Sequence, residues 1–184
     1  MGPQYTLTPL IEHTALAALS FYIYRLKREV YLLYWTAAWT LLALHYLARM
    51  VYTSGTAAAG LFHAADSLLL VMACLLFLDS ARTFSGGNTT ASMTAFLTPF
   101  FLLWVVGSSL SGLALLRWLP PAAGGGLVAA VTGVMFWRES SRREIVGGRI
   151  LASAFFLWAA LLVTTPLADY LQIFFTSYTP IFTH

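Results

Sequence analysis

Charged residues make up only 9% of this 184-residue chain, against roughly 25% in an ordinary soluble domain. That scarcity excludes a water-soluble globule, and it excludes a charge-rich disordered chain as well. Ten Lys and Arg against seven Asp and Glu give a net charge of +3, which is too few charges to build a nucleic-acid surface. Cysteine is nearly absent: Cys74 stands alone, so the chain has no internal disulfide. There is no linker, no second domain and no internal repeat. Enzyme signatures are missing too: no G-x-S-x-G, no H-E-x-x-H and no phosphate-binding glycine loop. Apolar residues are abundant instead. They form 59% of the chain, with 15% aromatic and a mean hydropathy of +0.77. This composition is that of an integral membrane protein, and a membrane enzyme is the last of the readings it leaves.

A helix needs about 20 mostly apolar residues to cross the hydrocarbon layer. Charge-free runs cover 30–48, 118–137 and 150–168, and a longer one covers 83–116. The last opens with Ser85-Gly86-Gly87-Asn88-Thr89-Thr90, which reads as a loop. Two more segments carry polar residues: one holds Glu12 and His13, the other His63 and Asp66. The pattern predicts one all-α polytopic bundle spanning residues 1–184, with six transmembrane helices at about 7–24, 30–52, 56–79, 92–116, 121–137 and 148–175. The first run lacks a basic flank, so it does not read as a signal peptide.

Basic residues orient the bundle. With both termini outside, the inner loops hold Arg25, Lys27, Arg28, Arg82, Arg138, Arg142, Arg143 and Arg149, and the outer side holds only Arg49 and Arg117. The expected location is a bacterial inner membrane, crossed several times. Asn88-Thr89-Thr90 matches a glycosylation acceptor but falls on the inner side. Gly125, Ala129 and Gly133 form a small-residue stripe suited to close helix packing, as do Gly107, Ser108, Ser111 and Gly112. Pro166 should kink the sixth helix or end it early. Aromatic runs such as Phe21-Tyr22-Ile23-Tyr24 and Tyr31 to Trp39 read as interfacial belts.

Polar residues inside a bilayer are costly and often mark function. His13, His45 and His63 each lie about seven residues below the outer end of their helix, hence roughly 10 Å deep at 1.5 Å per residue. Glu12 neighbours His13, Asp66 follows His63 by three, and Arg49 follows His45 by four. With Tyr46 and Asp169 they outline a polar pocket in the outer half. Its imidazoles and carboxylates could hold a transition metal, a haem between two histidines or a pigment on one. They could also hydrogen-bond a quinone, act as a proton switch, or form a self-satisfied structural network.

Tyr24-Arg25 through Arg28-Glu29, then Tyr34-Trp35, Trp39 and Leu42-Ala43-Leu44, resemble the first inner loop and second helix of a bacterial sensor family. Gly148-Arg149-Ile150-Leu151-Ala152, running on to Leu157-Trp158, does so as well. The family is the multi-helix membrane input region of histidine kinases and diguanylate cyclases, and the likeness covers about half the chain. Such regions lead through a further helix into a cytoplasmic effector, whereas six helices end outside. The resemblance therefore implies either a piece of a longer sensor or a stand-alone relative. The copper-sensing six-helix class is similar in design, but Leu44-His45-Tyr46-Leu47 only partly echoes its Met-His-Tyr-Thr signature, and no ligand is carried over.

Three functions fit these features. The first is a sensory or regulatory module with a small ligand, metal or proton in the outer pocket. The second is an accessory subunit of a larger membrane complex contacting haem or pigment. The third is a small transporter component, resting on Pro166 and Gly124-Gly125-Gly126. Expected partners are membrane lipids and a protein, in the membrane or at the loop 138–149, with no nucleic acid.

Overall fold

The computed structural model describes residues 4–53, 59–86, 93–110 and 120–178, with side chains on the last helix described as far as Thr164. Among these residues every regular element is a helix. The elements are α1 (Gln4–Lys27), α2 (Val30–Thr53), α3 (Ala59–Phe84), α4 (Met93–Leu110), a π-helical turn (Pro120–Gly125) running straight into α5 (Gly126–Arg143), and α6 (Val146–Tyr178).

The ends of α1, α3 and α5 have local causes. Arg28 takes the left-handed conformation at φ 58°, and its N–H donates to the Tyr24 carbonyl at 2.7 Å. Arg25 and Lys27 sit in that last turn, where cations suit the helix dipole. The connection is therefore Arg28-Glu29 alone, which turns α1 and α2 into antiparallel neighbours. Gly86 closes α3 at φ 73°, a conformation that glycine adopts without a Cβ penalty. Glu144 does the same for α5 at φ 57°, with its N–H and that of Ile145 both donating to the Ser140 carbonyl.

Several elements run past the expected spans. α3 continues beyond residue 79 to Phe84, and α5 beyond residue 137 to Arg143. Charge limits how much of a helix lies in hydrocarbon, but it does not stop the helix. The expected loop 138–149 accordingly shrinks to Glu144-Ile145 between α5 and α6. α6 also continues through Pro166 to Tyr178 rather than ending early. Ser111, Gly112, Arg117, Asn88-Thr89-Thr90 and His184 lie outside the described residues.

Three helices are long and apolar enough to cross a membrane: Val30–Val51, Leu61–Phe84 and Val146–Thr164, while Met93–Ser108 is a shorter apolar helix. α1 carries Glu12, and α5 ends in Arg138, Glu139, Arg142 and Arg143, so neither matches them in apolar length. The outside of the molecule is apolar as well. Leu61, Phe96 and Leu103 are 73%, 77% and 74% exposed, an arrangement suited to lipid and not to water.

α3 is the central helix: it packs against α2, α4, α5 and the π-helical turn. Its buried residues include Val71, Ala73, Cys74, Leu75, Phe77 and Ala81. Alanines at Ala38, Ala73, Ala81, Ala129, Ala152 and Ala159 let the backbones approach around Phe77, Phe136 and Phe155. The expected glycine stripe on α5 does pack. A Cβ at Gly133 would lie 2.9 Å from the Phe156 ring and 3.2 Å from the Ala152 carbonyl, and one at Gly126 would lie 2.8 Å from Val163, all on α6. Gly125 is looser, with 3.6 Å to Cys74 and Leu162. Gly107 on α4 has no described residue near its Cβ position, whereas Ser108 beside it is buried. Gly124 meets Phe101 of α4. The glycine triplet is thus a close-packed entry to α5 and not a break within a membrane helix.

One junction depends on a carboxylate. Asp79 is buried on α3, and its two oxygens accept the backbone N–H groups of Met93 at 2.9 Å and Thr94 at 3.1 Å. These are the first two amides of α4, which have no partner inside their own helix. Asp79 therefore caps a neighbouring helix with a negative charge at its positive end, and Arg82 stands 3.7 Å away.

Candidate functional site

Antiparallel α1, α2 and α3 bring the start of α1, the end of α2 and the start of α3 to one end of the bundle. His45 is buried on α2 and Asp66 is buried on α3. His45 Nδ1 lies 2.9 Å from the Asp66 backbone carbonyl and 2.8 Å from its Oδ1. The ring proton is aligned with the carbonyl, so the carboxylate contributes a close electrostatic contact and not a second full hydrogen bond. Because a carbonyl only accepts, Nδ1 carries the proton.

Tyr46 extends the group toward α1. Its ring lies 4.8 Å from that of His45 and 5.0 Å from that of His13, centroid to centroid. His13 is half-buried and also sits 5.5 Å from Trp39. Its Nδ1 donates to the Pro9 carbonyl one turn earlier, which leaves the Nε2 lone pair of the neutral ring as an acceptor. The result is a row running His13, Tyr46, His45, Asp66 across three helices.

The other candidates do not all join this row. His63 is buried on α3, three residues before Asp66. Glu12 is exposed beside His13 and, among the described residues, makes no ion pair. Arg49 is half-buried and, among the described residues, also makes none. The side chain of Asp169 on α6 lies outside the described residues. Among the described residues no three His, Cys, Asp or Glu side chains come together as a group that could hold a metal ion. The geometry explains this: the Tyr46 ring separates His13 from His45, and Glu12 is turned outward.

A second feature adjoins the row and was not anticipated from the sequence. Trp35 and Trp39 turn inward. With His13 they line a cavity of about 330 Å³ completed by Leu42, Phe77, Leu151, Ala154, Phe155 and Trp158. Phe77 is its hub. Its ring meets Trp39 at 4.9 Å, Phe155 at 5.3 Å, Trp35 at 5.7 Å and Trp158 at 5.8 Å, each edge to face, the geometry aromatic quadrupoles prefer. The sequence signal was present in the spacing. Trp35, Trp39 and Leu42 share one face of α2, and Leu151, Ala154, Phe155 and Trp158 share one face of α6.

The indole N–H groups of both Trp35 and Trp39 are buried and, among the described residues, reach no acceptor. Buried indole donors usually find one, and leaving such a group unmet costs about 1–3 kcal/mol. α2 and α6 scarcely touch each other, so the cavity is the cleft between them, floored by α3. A smaller apolar cavity of about 230 Å³ continues along it past Trp35, among Tyr31, Phe84, Phe136 and Gly148.

At the opposite end of α5, Glu139 accepts hydrogen bonds from Arg142 at 2.8 Å and from Arg143. The Arg143 guanidinium also lies 5.6 Å over the Phe84 ring of α3, a cation–π contact. Burial raises the Glu139 pKa, but the two arginines outweigh it and hold the carboxyl below its ordinary value. No family model, no curated protein and no solved structure matches the chain.

Proposed function

We propose that the chain is an integral membrane sensory or regulatory module, with six crossings and both termini on the outer face, and that its sensing element is the row His13, Tyr46, His45 and Asp66. The observation that carries this reading is the buried imidazole–carboxylate pair joining α2 to α3. A charge change there alters the attraction between two apolar helices, and histidine is the side chain whose charge changes between pH 5 and 8. Tyr46, His13, Arg49 and Glu12 on the adjoining helix faces, with His63 on α3, complete the titratable and charged surroundings. The row passes the change to α1, and a protein partner in the membrane or at the α5–α6 turn reads it. The excess of basic residues at the other end of the bundle supports an outward-facing site in a bacterial inner membrane. The likeness to sensor input regions points the same way.

The test is tryptophan emission of the protein in lipid nanodiscs between pH 5 and 8. Wild type should show one reversible transition, and His45→Asn and Asp66→Asn should each abolish it. Emission that stays flat in wild type, or a transition that persists in both variants, refutes the reading.

A further inference from the structure

We infer that the basic end of the bundle holds the headgroup of one anionic phospholipid, whose acyl chain lies in the trough between α2 and α6. Basic residues outnumber acidic ones where α1, α3 and α5 close and α2 and α6 begin. Two of these cations flank the cavity of about 230 Å³ at that end. Arg28 stands in the two-residue turn just ahead of Tyr31 and Leu32, which line the cavity from α2. The Arg143 guanidinium lies 5.6 Å over the ring of Phe84, which lines it from α3. Glu139 takes the Arg143 Nε–H, so the guanidinium is held at the rim by a carboxylate and an aromatic face. Its side chain is still 45% exposed, and the terminal nitrogens of a guanidinium carry further donors. Arginine donors in that fork geometry match a phosphate.

The shape of the trough fits the rest of the molecule. The smaller cavity shares Trp35 and Leu151 with the larger one of about 330 Å³, so the two run on as one trough. Its α2 wall extends from Tyr31 to Leu42, which is about 16 Å at the helical rise. Half of a hydrocarbon layer of roughly 30 Å is one leaflet, and the trough has that depth. No Asp, Glu, Lys or Arg lines it. A slot that opens beside cations and then stays uncharged for the depth of a leaflet matches an anionic head with a hydrocarbon tail. Access is lateral: α2 and α6 scarcely touch, so the chain enters from the bilayer. This inference shares the membrane placement of the helices with the functional reading above, but not the protonation of His45 and Asp66.

The test uses the full chain in phosphatidylcholine vesicles that contain a small fraction of lipid brominated along its acyl chains, which quenches tryptophan on contact. Trp35, Trp39 and Trp158 line the trough and report its occupant. Brominated phosphatidylglycerol should reach half of its effect at a mole fraction about twentyfold lower than brominated phosphatidylcholine. Arg28→Gln and Arg143→Gln each remove one cation, and each should cut that preference about fivefold. Gly147 lines the mouth, and a Cβ there meets nothing within 4 Å. Gly147→Leu should therefore fill the mouth without disturbing the backbone and abolish the preference. Equal quenching by the two lipids in wild type overturns the proposal; if cross-linking then shows a dimer, the trough belongs to a second copy. A preference that survives Gly147→Leu also overturns it, because the basic surface would then gather anionic lipid with no chain in the trough. A preference unchanged in both arginine variants does the same for the headgroup assignment. Lipid preference in wild type whose emission stays flat between pH 5 and 8 would refute the proton reading alone.

Discussion

Replacing Asp79 tests whether one side chain holds two helices in register. Its carboxylate accepts two amides at the start of α4, at 2.9 and 3.1 Å. Hydrogen bonds to a charged group are worth about 1.5–3 kcal/mol each, and a donor left unmet has its own desolvation cost. Water reaches helix ends near the headgroups and can replace part of the loss, so the lower values apply. Asp79→Ala should destabilise the protein by about 3 kcal/mol. Asp79→Asn keeps one acceptor oxygen but turns an amide NH₂ toward the second N–H, and should cost about half as much. Thermal unfolding in detergent measures the total. Hydrogen exchange of the Met93 and Thr94 amides measures the locus, and both should lose protection in Asp79→Ala while the α2 amides stay protected. An alanine variant within about 0.5 kcal/mol of wild type, with α4 exchange unchanged, would mean that solvent caps α4 equally well and that the carboxylate is not needed there.

Two further outcomes follow from the α5–α6 hairpin. A Cβ at Gly148 would overlap Ser140 Oγ and lie 2.8 Å from Ser140 Cβ. Rotating the hydroxyl relieves only the first clash, so Gly148→Ala should cost about 1–3 kcal/mol, and adding Ser140→Gly should restore most of it in a double-mutant cycle. Glu139 gives a pH dependence of known sign. Its folded-state pKa lies below the ordinary 4.5 because the arginine hydrogen bonds overcome burial. Its contribution is therefore intact above about pH 4.5 and is lost as pH falls through the depressed value. Acid unfolding curves of wild type and Glu139→Gln should converge below that point and separate above it.

The helical plan was legible because membrane helices leave long charge-free runs, and the ends of α2 fell within a residue of expectation. The ends of α3 and α5 were not legible, because the helix continues through Asp79, Arg82 and Arg138 to Arg143 after the apolar stretch stops. Equal depth on antiparallel helices brought His13, His45 and Asp66 to one end of the bundle, but the spacing did not single out the His45–Asp66 pair, and Tyr46 stands between His13 and His45. Depth does not set rotation, which is why Glu12 and Arg49 stand apart from the pair. The aromatic cleft was missed because tryptophan near a helix end has two physical uses, at a headgroup or in an interior, and composition alone does not distinguish them. Only the arrival of Phe155 and Trp158 from α6, more than a hundred positions later, shows which applies at Trp35 and Trp39.

The isolation of Cys74 has an experimental use. The thiol is fully buried in α3, so an impermeant maleimide should leave native protein unlabelled. A cysteine placed at Arg28, Gly86 or Glu144 would then be the reactive thiol in the molecule. Comparing the labelling of those positions in intact cells with that in opened membranes would establish the sidedness of the turns without first engineering a thiol-free background.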